Sequence, residues 1–111
     1  MLSDELRYRL LKLINEDPEL SQRDLARELN ISLGKTNYCL RALNEKGLIK
    51  ARNFYENPLR KGYLYFLTPK GIEEKARVTM KFLKTKLKEY EELENEITLL
   101  KEEASKIIQN K

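Results

Sequence analysis

Near the start of the chain, Leu6, Leu10, Leu13 and Ile14 lie at i, i+4, i+7 and i+8. That single apolar stripe predicts a helix from Ser3 to Asn15 with one face in a core. Ser3 is placed to cap it, Asp4 and Glu5 suit the positive end of its dipole, and Asp17-Pro18 ends it. Ser21-Gln22-Arg23-Asp24 reads as a variant capping box opening a second helix. There Leu25 and Leu29 form the buried edge, and Ala26 lets a neighbouring helix approach closely. Asn30 tolerates the left-handed conformation and stops this helix, Ile31 plugs the core, and Ser32 caps a third helix running to about Lys46 before Gly47. Thr36, Leu40 and Leu43 are the positions this third helix should bury. Leu33, Lys35, Asn37, Tyr38 and Arg41 are left on or near its outer face.

The pattern then changes. Leu48 to Tyr55 has strand character, and Tyr63 to Leu67, rich in aromatics, is a stronger strand. The breakers Asn57, Pro58 and Gly62 between them make a hairpin turn with Arg60 and Lys61 at its tip. Thr68 and Pro69 form a helix start, Pro69 standing where a missing N–H costs nothing. From Ile72 to Lys111 there is neither glycine nor proline, so one continuous helix of roughly 60 Å is expected at about 1.5 Å per residue. Along it Met80, Leu83, Leu87, Tyr90, Leu93, Ile97, Leu100, Ala104 and Ile107 recur in steps of three and four, a heptad seam with one stammer at Tyr90 to Leu93. The fold class is therefore mainly α with a small β-hairpin. It divides into a domain over residues 1–70 and a long C-terminal helix over 71–111 whose seam forms a coiled-coil-like dimer interface.

Charge sharpens both halves. The formal net charge is +4, but Ser32 to Lys70 holds 8 basic and 2 acidic residues, whereas Met1 to Ile31 holds 5 and 7 and Gly71 to Lys111 holds 9 of each. A positive excess confined to the third helix and the hairpin is the footprint of a polyanion, or else an ordinary solvated face. Lys35 opposes the helix dipole at its N-terminal turn, an arrangement that makes sense if an anion arrives there. In the long helix, Lys81, Lys84, Lys86 and Lys88 precede Glu89, Glu91, Glu92, Glu94 and Glu96. Parallel copies would set like charge beside like, whereas antiparallel copies crossing near Lys88-Glu89 set basic beside acidic. Repulsion thus selects an antiparallel homodimer. The alternative is a helix folded back on its own domain at Tyr90 to Leu93.

Composition narrows the chemistry. Histidine is absent, which removes the commonest general base and metal ligand, and the one cysteine, Cys39, can form neither an internal disulfide nor a thiolate zinc site. Cys39 has no partner for redox sensing and reads as a semi-buried packing thiol. No glycine-rich phosphate loop or nucleophile–base pair is present. No enzyme activity, cofactor or metal is expected. With no apolar run approaching the ~18 residues that span a bilayer and no signal peptide, no membrane association is expected and the default compartment is the cytoplasm.

Helix, helix, turn, helix, hairpin, helix is the order of a winged helix-turn-helix domain. The turn Leu29-Asn30-Ile31-Ser32, the segment Leu43-Asn44-Glu45-Lys46-Gly47-Leu48-Ile49, the basic tip Arg60-Lys61-Gly62 and the junction Leu67-Thr68-Pro69-Lys70-Gly71 resemble those of MarR-type transcriptional regulators. The small size and charged C-terminal helix look most like the exopolysaccharide (EPS)-associated subgroup. The chain departs from the type in having Pro58-Leu59, not an acid, directly before Arg60, and one uninterrupted C-terminal helix where a pair is usual.

The resemblance implies that the third helix enters the major groove of double-stranded DNA. Asn37 would read adenine, Lys35 or Arg41 guanine or a phosphate, and Tyr38 a thymine methyl or a phosphate. Ser32 with the first amides of that helix would hold a phosphate. Lys50 and Arg52 would contact the backbone along the strand, and Arg60 or Lys61 would enter the minor groove. The function implied is a homodimeric, sequence-specific DNA-binding transcriptional regulator on a palindromic operator. The alternative is a winged-helix scaffold that recruits protein and binds no DNA. The sequence identifies no effector.

Overall fold

The computed structural model describes residues 3–53 and 63–110. Its elements are α1 (Asp4–Glu16), α2 (Gln22–Leu29), α3 (Leu33–Glu45), β1 (Ile49–Asn53), β2 (Tyr63–Leu67) and α4 (Pro69–Gln109). The turn expected between the strands, with Arg60 and Lys61, lies outside the described residues.

Each helix starts on a side-chain cap. The Ser3 hydroxyl accepts from the Leu6 amide at 3.1 Å, and the Ser32 hydroxyl from the Lys35 amide at 3.0 Å. At Ser21 the reciprocal box forms: Asp24 N–H donates to the Ser21 hydroxyl at 3.1 Å, and Ser21 N–H donates to the Asp24 carboxylate at 3.0 Å. Caps of this kind contribute about 1 kcal/mol each. Asn30 ends α2 in the left-handed conformation (φ 54°, ψ 46°), and Gly47 follows α3 at φ 71°.

The core gathers all three short helices, the hairpin and the start of α4. Leu10, Leu11, Leu25, Leu43 and Val78 have no exposed surface, and Ile14, Cys39, Leu48 and Ile49 are within 2% of that limit. Leu6 and Leu13, though part of the expected stripe of α1, are only half-buried, and Leu11, off that stripe, is fully covered. The reason is that α1 is packed against α4 as well as α2 and β2, so more than one face is enclosed. On α3 the expected Thr36, Leu40 and Leu43 are buried, and Cys39 joins them.

β1 and β2 pair antiparallel, with Ile49 opposite Leu67 and Arg52 opposite Leu64. The strand-to-helix junction is fastened to the end of α3. Thr68 N–H donates to the Leu48 carbonyl at 3.0 Å, the Thr68 hydroxyl donates to the Gly47 carbonyl at 2.6 Å, and the Gly71 N–H donates to the Thr68 hydroxyl at 3.0 Å. Gly71 has no room for a side chain: a Cβ there would lie 2.0 Å from the Leu48 carbonyl oxygen.

The long helix is one uninterrupted run of 41 residues, with no fold-back at Tyr90 to Leu93, and it stretches the molecule to 73 Å. Its first turns belong to the domain. Val78 is fully buried, and the Phe82 ring stacks on Tyr8 of α1 with centroids 5.1 Å apart. An ion-pair network follows the same face, linking Arg7 to Glu74, Glu74 to Arg77, and Asp4 to both Arg77 and Lys81. Beyond that, every described residue from Leu83 to Asn110 is exposed.

Candidate nucleic-acid interface

The buried side of α3 fixes what its other side shows. With Thr36, Cys39, Leu40 and Leu43 in the core, Lys35, Tyr38 and Arg41 project into solvent, Tyr38 at 59% exposure. No other described part of the chain covers this face. Gly34, Asn37, Tyr38, Arg41, Ala42 and Glu45 line an open concavity along it.

At the start of the helix, Ser32 is exposed, and its hydroxyl and carbonyl accept from the amides of Lys35 and Thr36. The Leu33 and Gly34 amides stand at the open end, where a helix has N–H groups without intrahelical partners. A Cβ on Gly34 would meet nothing within 4 Å, so no internal packing requires glycine there. On the hairpin, Lys50 and Arg52 are exposed, and the Arg52 guanidinium lies 5.5 Å over the Phe66 ring, which holds the cation along the strand.

Asn37 is placed differently from its neighbours. It is half-buried, and its side-chain N–H donates to the Gln22 side-chain carbonyl at 3.2 Å. The Gln22 amide in turn donates to the Tyr65 hydroxyl at 2.9 Å. Tyr65 is 6% exposed, so this chain of polar groups runs from β2 under the first turn of α2 to α3. Gln22 and Tyr65 are site residues the sequence did not reveal: they stand 43 positions apart, and no local pattern connects them.

Cys39 sits directly behind this face. Burial pushes its thiol above the ordinary range, with nearby Lys35 opposing weakly. A thiol kept protonated is a poor nucleophile, which favours the packing role over redox sensing. Among the described residues no helix is long and apolar enough to cross a membrane.

Residues 3–50 match a family model for winged helix-turn-helix DNA-binding domains. Among solved structures the chain is similar to Lactococcus lactis ZitR, at 27% identity and a TM-score of 0.64 over 81% of this chain and 59% of that one. It is similar to S. aureus MepR, at 21% identity and 0.65 over 99% and 80%. It is also similar to Staphylococcus aureus MarR in complex with salicylate and kanamycin, at 23% identity and 0.58 over 73% and 53%. The chain thus spans about half the length of that MarR protein. No match is found among curated proteins. The match to the winged helix-turn-helix model covers residues 3–50, and the fold of the chain is the one shared by these MarR-type neighbours.

Proposed function

We propose that this chain is a sequence-specific DNA-binding transcriptional regulator that acts as a homodimer on a palindromic operator. The observation that carries the reading is the uncovered face of α3, where Lys35, Tyr38 and Arg41 project together from a helix whose opposite face is locked in the core. That face suits the major groove, with Asn37, Lys35 and Arg41 reading base edges or phosphates and Tyr38 meeting a methyl or a phosphate. Ser32 and the open amides beside it suit a backbone phosphate, Lys50 and Arg52 flank it, and Arg60 and Lys61 serve the minor groove.

The dimer is formed by residues 71–111, with 1–70 as the DNA-binding unit. Met80, Leu83, Leu87, Tyr90, Leu93, Ile97, Leu100 and Ile107 are between 43% and 66% exposed, and Ala104 is exposed too. Among the described residues nothing covers a seam this long. Exposed Ile72 and Ala76 continue it toward the domain. With two copies crossed antiparallel at Lys88-Glu89, Met80 falls opposite Ile97 and Leu87 opposite Tyr90, while Ile72 and Ala104, Ala76 and Leu100, and Leu83 and Leu93 lie within one residue of opposition. The same register sets Lys81 against Glu96 and Lys86 against Glu91. Apolar pairing and charge thus select one arrangement.

The test is selection of bound sequences from a random duplex pool, followed by titration at several salt concentrations. A palindromic consensus and affinity that drops steeply with salt are expected, because phosphate contacts release counterions. Weak, salt-insensitive binding with no consensus would instead identify a protein-recruiting scaffold. Replacing Arg60 and Lys61 together by alanine should reduce the salt slope, and an unchanged slope would remove the wing from the interface.

A further inference from the structure

We infer that Leu33 is a specificity-determining residue: its exposed side chain takes the methyl group of a thymine in the major groove. This role rests on the reading of α3 as the major-groove helix. Among the described residues ahead of Ile72, the exposed large apolar side chains are Leu33, at 43%, and Tyr38, at 59%. The other described leucines, isoleucines and aromatic rings of that region are buried or half-buried. Single exposed apolar residues scattered over a surface need no explanation. Here both stand on one helix, on the side that the core leaves open.

Tyr38 has a hydroxyl and can serve a phosphate, whereas Leu33 has neither donor nor acceptor. Leu33 is the first residue of α3, directly after the Ser32 cap, and the buried positions of the helix begin only at Thr36. It is not a member of the core cluster. In the major groove, base edges present donors, acceptors and one apolar group, the thymine C5 methyl. A leucine gains from that methyl alone; against the other edges it only strips water from polar groups. Leu33 precedes Asn37 by four residues, so the two share one side of the helix, about 6 Å apart along its axis. Bases of one strand are about 3.4 Å apart. The thymine therefore lies within about two base pairs of the column that Asn37 reads.

The test uses the full chain and the operator found by selection from random duplexes. Selection with Leu33→Ala, compared column by column with the native protein, identifies the position that Leu33 reads, where the native protein should favour thymine. Synthetic operators then carry uracil in place of that thymine in both half-sites, which removes the methyl and keeps every hydrogen-bonding group. The native protein should lose about fourfold in affinity per half-site, the value of one buried methyl. Leu33→Ala should bind the thymine and uracil operators alike. With cytosine at that position, adding a 5-methyl group should strengthen native binding by a similar factor and leave Leu33→Ala unmoved. The urea midpoint of Leu33→Ala confirms that the fold is intact.

A native protein that binds thymine and uracil operators equally would overturn the role of Leu33 while leaving the DNA reading in place. So would a column pattern unchanged in Leu33→Ala. An equal loss in the native protein and in Leu33→Ala would also overturn it, because the methyl would then act through another side chain or through the duplex. If selection with the native protein yields no consensus, major-groove reading by α3 fails and the role of Leu33 with it.

Discussion

Two stretches of this molecule carry the same kind of apolar stripe and meet opposite fates. In α1, Leu10 and Ile14 are 0% and 1% exposed; in the outer part of α4, Leu87 and Leu100 are 59% and 58% exposed. Both repeat at helical spacing, and both sit in helices rich in charge. Periodicity states that a face is to be covered without saying by what. For α1 the cover is the same chain: α2, β2 and the first turns of α4. For α4 beyond Phe82 none of the described residues reaches the seam, and a solitary helix exposing that much leucine and isoleucine calls for a partner.

The largest effect expected from that contrast comes from charging the seam. Leu87 lies next to the proposed crossing point, so Leu87→Glu introduces two carboxylates into one interface while touching nothing in the domain. Light scattering should show the native chain at about twice its 13.2 kDa and the variant at once that mass. The thermal transition of the domain should be preserved. Operator affinity should drop by about 10²-fold or more, because two linked half-site contacts become one. A variant that remains dimeric would place the interface elsewhere and leave the exposure of the seam unexplained.

The second effect concerns how firmly the covered half is locked. At Gly71 the obstacle to a side chain is the backbone carbonyl of Leu48, which cannot rotate away. Gly71→Ala should therefore force α4 off the end of α3 and destabilise the fold by about 3 kcal/mol, read as a lower urea midpoint. The dimer seam, remote from this contact, should be unaffected. A neutral outcome would mean that the junction yields, and the division between a rigid domain and a free helix would lose its physical basis.

These particulars show what was legible in the sequence. The caps at Ser3, Ser21, Ser32 and Thr68, the left-handed Asn30 and the unbroken α4 were all readable, because each depends on residues within four positions of one another. The outward face of α3 was readable because its buried face was. Leu11 was missed because a single-stripe reading assumes one covered face, and α1 has more. The division of labour around α4 was half visible: the seam showed as a heptad, but Val78 and Phe82, which face α1, lie on another side of the same helix. The Asn37–Gln22–Tyr65 chain had no sequence signature at all, since three polar side chains from three elements meet only once the core is packed.

A smaller effect separates the two demands that the proposed function places on α3, to fold and to meet DNA. Gly34 is helical, and glycine there costs about 0.5–1 kcal/mol relative to alanine. Nothing inside the protein needs the missing Cβ. Gly34→Ala should therefore raise the urea midpoint while weakening operator binding several-fold, because the added methyl stands between the first turn of α3 and the phosphate it approaches. Opposite signs in stability and binding are the signature of a residue kept for the partner. A variant that is more stable and binds equally well would show that no close approach occurs at this turn.

The smallest effect lies at the boundary between the two regions. Lys81 is among the last residues of α4 tied to the domain, its ammonium 2.6 Å from the Asp4 carboxylate. That hydrogen bond, helped by the charges of Lys81, Arg77 and Arg7, holds the Asp4 carboxyl below its ordinary value of 3.8, with partial desolvation opposing. Because the folded value is depressed, the contribution to stability is complete above about pH 4 and is lost as pH falls through the folded value. Asp4→Asn should therefore lower the urea midpoint slightly near pH 7, and the gap to the native chain should narrow as pH falls below the ordinary carboxyl value. The effect is modest because the pair stands at the surface, where water screens it. A gap that does not change with pH would mean that the charge of Asp4 contributes nothing, leaving Val78 and the Tyr8–Phe82 stack to fix where α4 leaves the domain.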